Sequence, residues 1–453
     1  MTDYVRSKYQ LARFTPETGQ LGHRLTKHEA IAAYGEDRLA EVERDGVSVL
    51  LASPKAIETA IRSRRESLGI HVETLAAVLD KPISTIRSSE ENARDVALRD
   101  IEEISFMLGL DERYIAFQAE AGADGQLGAR LRTLQMTPNG SPAGPGLTER
   151  AALALAESAS TIRAQHRLQT DVGLGTNMAG LTTSSDYGEA GRPAWRVGYE
   201  LSHSARIAFG LGNAPIASMR DLVEHRLGIP VIQIELPQQI AGATVSSSGY
   251  RGIVVNTVGP NTNVWVRRAT LAHELCHFFF DPPGDLQAIR VDRYDALEQN
   301  PEGTIPDFAE QRANAFAISF LAPIEEVKKI ALTTVVTPGQ LETIIAGFGI
   351  GQVAARYHVD NAWFRQSVLP PEASVHVNPT DEQKAAEDFT LDFFQPKSTP
   401  HSRRGRFAAL VAQCVQGGLM SSDTAALYLS CKVSDFEASR EFLLSLSASS
   451  GKS

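Results

Sequence analysis

His273, Glu274 and His277 are the residues whose types and spacing most directly specify chemistry in this chain. Two histidines four apart on a helix lie on one face, one turn from each other. Neutral imidazoles are natural ligands for a zinc ion (Zn2+), and two of them supply half of a tetrahedral shell. Glu274 beside them is placed to take a proton from water at the metal's open position and to pass it to a leaving amine. The pattern is the H-E-x-x-H arrangement of metal-assisted peptide hydrolysis. The bland alternative is a helix with two surface or capped histidines. The context weighs against it: Trp265, Val266, Ala269, Leu271 and Ala272 precede the motif, and Phe278, Phe279 and Phe280 follow it. Such a helix is apolar enough to be buried, where polar imidazoles need a reason to be.

A site that keeps one position open needs a third protein ligand. The downstream acids are Asp281, Asp285, Asp292, Asp295, Glu298, Glu302, Asp307 and Glu310. Glu310 is favoured, because it sits on the apolar run Phe308, Ala309, Ala313, Phe316, Ala317, Phe320 and shares a face with Ala313 and Asn314. Read from the residues alone, it is equally well an ordinary acid at a helix start. Asn314 either orients the ligands or bridges nearby backbone. Tyr357 and His358, in "VAARYHVD", are candidate transition-state helpers, with a structural role the stronger expectation.

The elements that must position these residues are set by hydrophobic period. "WRVGYELSHSARIAFGLG" and "PIASMRDLVEHRLG" read as helices, the second with Pro215 near its start and Gly228 at its end. "IPVIQIEL", "AGATVSSSG" and "RGIVVNTV" are β-branched runs split by Pro or Gly and read as strands. "NVWVRRATLAHELCHFFF" and "DFAEQRANAFAISFLAP" are the two site helices, and "TPGQLETIIAGFGIGQVAARYHVDNAWFRQSV" reads as three short ones. Upstream, "KHEAIAAYGEDRLAEVERDG" predicts a helix, and four or five short helices come between about 52 and 118. The second half of 119–147 has linker composition, and a Gly, Ser and Thr-rich stretch leads up to Pro193.

A length of 453 residues implies two to four domains. The net charge of -10 gives no general support for nucleic-acid binding. Three cysteines, Cys276, Cys414 and Cys431, are too few and too irregular for a disulfide framework and fit a reducing cytoplasm. No apolar signal core or stretch of membrane-spanning length is present, so no membrane role is expected.

The segments "ATLAHELCHFFFDP" and "EQRANAFAISFLAP" resemble the ImmA/IrrE family of bacterial metallopeptidases. So do "ARIAFGLGNAPIASMRDLVEHRLGIPVIQIEL", "IAGATVSSSGYRGIVVN" and "VAARYHVD", in order over roughly 195–365. The resemblance implies a zincin-like α+β domain with His273, His277 and Glu310 as zinc ligands and Glu274 as general base. It also implies a helix-turn-helix repressor as substrate, cut in phage-element control or a DNA-damage response. Cys276 stands where glycine is common in that family. The spacing from His277 to Glu310 is long, through "PGDLQAIRVDRYDALEQNPEGTIP", which is expected to reshape the cleft or block it until a trigger acts.

Ile61 to Leu110 resembles the Xre/Cro-type helix-turn-helix. The resemblance implies "HVETLAAVLD" as first helix and "PISTIRSSE" as recognition helix, with Ser84, Thr85, Arg87 and Ser88 facing double-stranded DNA. Between Lys55 and Arg113, however, 9 basic side chains face 12 acidic ones, a net of -3. Since DNA readers neutralise phosphates, docking of a repressor or homodimerisation is an equal expectation. The predicted organisation is a mainly α multidomain chain with a small sheet: a helical extension over 1–50, a helix-turn-helix domain over 51–118, a linker and helix over 119–192, the metallopeptidase domain over 193–370 and a helical C-terminal domain over 371–453. The leading functional expectation is a zinc-dependent regulatory endopeptidase. The rivals are a DNA-binding regulator with a non-proteolytic, ligand-sensing domain and an antitoxin-like binding module.

Overall fold

The computed structural model describes residues 4–6, 22–46, 48, 56–113, 127–133, 148–174, 192–238, 240–247, 249–281, 289–292, 308–387 and 394–448. Among them the chain is mainly helical, with a two-stranded and a five-stranded sheet. The linker stretch 134–147, the Gly, Ser and Thr-rich stretch 175–191 and the acids Asp285, Asp295, Glu298, Glu302 and Asp307 lie outside the described residues.

The N-terminal part pairs β1 (Tyr4–Arg6) with β2 (His23–Leu25). The single helix expected next is two, α1 (Lys27–Tyr34) and α2 (Glu36–Asp45). They part at Gly35, whose φ of 83° a helix cannot hold. Then come α3 (Ala56–Ser67), α4 (Val72–Val78), α5 (Ile83–Glu91) and α6 (Leu98–Met107). Ile61, Leu75, Ile86, Ile101 and Ile104 pack together as their core, and Ala152 and Leu153 join them from α7 (Glu149–Asp171).

Strand β3 (Leu127–Thr133) precedes α7 in the chain, and α8 (Ala194–Ala208) comes after it. The helix expected from "PIASMRDLVEHRLG" forms over 219–226 and widens at Asp221–Arg226, closed by bonds from Leu227 N to Leu222 O and from Ile229 N to Val223 O. Its leading amides, Met219 N and Arg220 N, are capped from a distance by the Glu387 carboxylate. Pro215 therefore lies outside the helical turn.

The three expected strands form as β4 (Val231–Ile234), β5 (Ile240–Ser247) and β6 (Tyr250–Asn256). A further strand, β7 (Ile289–Asp292), forms within the long segment after the motif. The order is β4-β6-β5-β3-β7. β4 and β6 are parallel, β5 is antiparallel to both β6 and β3, and β3 is parallel to β7. Ala151, Leu155, Ala159 and Ile162 of α7 cover one face of the sheet over Ile232, Ala243, Val245 and Val254.

The opposite face receives α9 (Val264–Phe280), with α10 (Phe308–Leu321), α11 (Ile324–Ile330), α12 (Pro338–Phe348) and α13 (Gln352–Ala362) after it in the chain. Of the three short helices expected over 337–368, two form as α12 and α13; Phe364 and Arg365 then take φ values of 54° and 59°, and the chain turns there. The largest core joins α8, α9, α10, α12 and α13, with Leu271, Leu275, Phe280, Phe316 and Phe320 at its centre.

The chain closes with α14 (Asp381–Ala386), α15 (Arg406–Gln416), α16 (Ser422–Tyr428) and α17 (Val433–Ala448). The core of α15, α16 and α17 includes Phe106 of α6 and Ala164 and Leu168 of α7. Arg403 adds an ion pair to Glu157 at 2.7 Å and lies 4.3 Å over the Phe106 ring. Among the described residues no helix is long and apolar enough to cross a membrane.

Candidate metal centre

Helix α9 is buried nearly all round, so its position is tightly set. Asn263 caps it by accepting from Trp265 N at 2.9 Å. Its two inward arginines are matched: Arg268 donates to Glu387 at 2.6 Å, and Arg267 Nε donates to the Asn261 carbonyl at 3.1 Å. His273 and His277 then fall one turn apart on one face, with ring centroids 4.7 Å apart. Helix α10 lies against the same face and is held close by α8. A Cβ on Gly198 would sit 2.8 Å from Phe316 N, so only glycine lets the two helices approach this far. Glu310, in the first turn of α10, is carried onto the histidines.

Four donor atoms from three residues converge. Glu310 Oε2 is 3.2 Å from His273 Nε2, Glu310 Oε1 is 3.1 Å from His277 Nε2, and the two Nε2 atoms are 3.0 Å apart. With bonds of about 2.0–2.1 Å, a tetrahedral ion sets neighbouring ligand atoms about 3.3 Å apart. The observed separations are close to that edge. All three residues are buried, and they form a group able to hold a metal ion. Burial works against the charge of Glu310, but His273 and His277 override it and hold its carboxyl well below the usual range.

The outer nitrogens of both rings are also engaged. His273 Nδ1 donates to Asn314 Oδ1 at 3.0 Å, and His277 Nδ1 donates to Asp281 Oδ2 at 2.9 Å. Arg312 in turn binds the other oxygen of Asp281. These contacts orient both rings with each Nε2 turned toward Glu310. Four donor atoms this close to one another need a cation or shared protons between them. The donor set therefore fits zinc or another divalent ion of similar taste.

Glu274 points to the sheet side of α9. Its Oε2 accepts from the Thr244 hydroxyl at 2.8 Å, which ties the carboxylate to β5. Opposite it, Gly242 leaves room: a Cβ there would stand 3.4 Å from Glu274 Cγ. Cys276 is buried on the same helix, and its thiol is pushed up to about 12 by burial, so it stays protonated and inert.

The remaining sequence candidates lie elsewhere. His358 is buried in α13, where Nε2 donates to the Ala322 carbonyl at 2.7 Å and Nδ1 accepts from the Tyr199 hydroxyl at 2.6 Å. Its ring bolts α13 to α8 and to the end of α10. Tyr357, beside it, is half-buried. Ser84 and Arg87 are exposed on α5, Thr85 and Ser88 are half-buried, and Arg87 reaches Glu73 at 3.3 Å. Arg65 on α3 pairs with Glu90 at 2.5 Å. Asp292 lies on β7, opposite Arg132 of β3.

Three participants escape a reading of the sequence. Asp281 stands among the candidate ligands, yet it supports a ligand from behind, and its place four residues after His277 is the available signal. Arg312 and Thr244 carry none, because their roles depend on how α10 and β5 pack on α9. Comparison with protein-family models and with curated proteins finds no match for this chain.

Proposed function

We propose that this chain is a zinc-dependent endopeptidase. The observation that carries the reading is the convergence of His273, His277 and Glu310 with Glu274 beside them on α9. A bound zinc ion would supply a Lewis acid that polarises a peptide carbonyl and acidifies water. Asn314 and Asp281 orient the two imidazoles. Glu274, steadied by Thr244, takes a proton at its carboxylate and returns it to the leaving nitrogen. The order and spacing of these residues support a zincin-like domain of the ImmA/IrrE kind, and that resemblance names a helix-turn-helix repressor as the substrate.

The α3–α6 bundle is assigned to recognition of such a repressor rather than of DNA. The ion pairs of Arg65 with Glu90, Arg87 with Glu73 and Lys81 with Asp100 support this, since they leave little basic surface for phosphates.

A second reading is favoured by one observation. His273, Glu274 and His277 are each at most 1% exposed. A regulator that retains metal to sense a ligand, without proteolysis, has the same appearance. The deciding experiment sets the wild type beside Glu274→Gln with a co-encoded helix-turn-helix protein. Stoichiometric zinc in both and cleavage by the wild type alone supports the peptidase. Zinc in both with cleavage by neither selects the regulator, and absence of stoichiometric metal removes both.

A further inference from the structure

Strand β5 is the strand that touches the reactive side of α9. The Thr244 hydroxyl reaches Glu274, and the bare backbone of Gly242 faces Thr270 and Glu274. One side of β5 is satisfied by β6. The other side is a row of peptide N–H and C=O groups, which needs a partner. An extended chain paired along that side runs beside Thr244, which holds Glu274, with its backbone held by ladder bonds rather than by side chains. This is strand addition, the way sheet edges take extended peptides irrespective of most of their sequence.

That row is already taken by the chain itself. β3 runs antiparallel along β5, with Arg130 opposite Thr244 and Arg132 opposite Gly242. β3 arrives from the N-terminal side of α7, far upstream of the motif. Its own outer side is held by β7, Ala129 opposite Ile289 through Arg132 opposite Asp292. β7 comes from the long segment just after Asp281. Two segments from outside the β4-β6-β5 unit thus meet at the one edge that borders Glu274. Neither is needed to complete the hydrogen bonds of β4 or β6.

We propose that the outer edge of β5 is a docking site for an extended polypeptide segment, and that Leu127–Thr133 is its internal occupant, which an incoming segment displaces. The docking rests on strand topology. Cleavage of the docked segment rests on the proposed peptidase activity. An internal strand competes at an effective concentration of order 1 mM. A free peptide with an intrinsic Kd of about 100 μM is then weakened roughly tenfold while β3 stays in place.

The test uses the full chain carrying E274Q, so that nothing is cut. The probe is a fluorescent heptapeptide of sequence LGARLRT, with a scrambled heptapeptide as control. Adding L131P removes a ladder donor from β3. The expected result is binding about tenfold tighter in E274Q/L131P than in E274Q, with no gain for the scrambled peptide. Faster hydrogen exchange of the Ile240–Ser247 amides is expected in L131P, reversed by the peptide. Should L131P fail to fold, replacing residues 127–133 with seven Gly and Ser residues gives the same comparison. Equal affinity with and without β3, or equal binding of the scrambled peptide, overturns the proposal. The readout needs neither metal nor hydrolysis. Strand binding without cleavage by the wild type sinks only the peptidase reading, and cleavage without strand displacement sinks only this proposal.

Discussion

The Asp281 carboxylate joins His277 to Arg312: one oxygen takes the Nδ1 proton at 2.9 Å, and the other is held by the guanidinium of the neighbouring helix. A candidate metal ligand is thereby aimed by a residue outside the candidate ligand set. Asp281→Ala is expected to weaken metal binding about 10–100-fold, the usual cost of losing such support. Asn314→Ala acts in the same direction through His273. Zinc titration against a competing chelator measures both. Unchanged affinity in Asp281→Ala would mean that packing alone orients His277.

Thr244 gives a way to separate chemistry from metal retention. Thr244→Val keeps the shape of the side chain and removes the hydroxyl that holds Glu274. Turnover is expected to fall about tenfold, the equivalent of one lost orienting hydrogen bond of about 1.4 kcal/mol. Zinc content should stay at the wild-type level. Measuring kcat beside metal stoichiometry checks this, and loss of metal in Thr244→Val would place the residue in the structural support of the site instead.

Gly198 links helix packing to the third ligand. In Gly198→Ala the new methyl meets the α10 backbone near Phe316 N, which cannot yield without moving the helix. Overpacking of this kind costs roughly 1–3 kcal/mol. Because Glu310 rides on α10, metal affinity should fall together with the unfolding midpoint. Calorimetry with and without zinc reads both effects.

His358 sets an acid limit. Burial lowers its pKa from 6.5 to about 4. Between those values the unfolded chain binds a proton that the folded chain does not, so stability falls as pH drops below 6.5 and the loss levels off near 4. The shift corresponds to about 3 kcal/mol. His358→Gln keeps a donor for Ala322 and removes the titration. Its unfolding free energy should therefore fall less than that of the wild type between pH 6.5 and 4, as urea denaturation across that range can show.

Much of the site is legible in the sequence because its signals are local. His273 and His277 declare themselves by a helical spacing, and β4, β5 and β6 by β-branched runs between Pro and Gly. Glu310 is favoured already by its place on an apolar helix, and the packing of α10 on α9 is what brings it to the histidines. β3 and β7 are not legible. "LGARLRT" and "IRVD" owe their strand state to pairing with distant residues rather than to their own propensity. The third short helix expected over 337–368 fails for the opposite reason: local composition allows it, and the backbone of Phe364 and Arg365 turns the chain aside.

Helix α7 contributes Leu153 to the N-terminal helical core, Ile162 to the sheet and Leu168 to the C-terminal core. One rod thus serves as the axle of three hydrophobic assemblies. Excising any one of them would strip a different stretch of that axle and leave apolar surface bare. An event that tilts this single helix would be felt by the α3–α6 bundle, the five-stranded sheet and the C-terminal helices together.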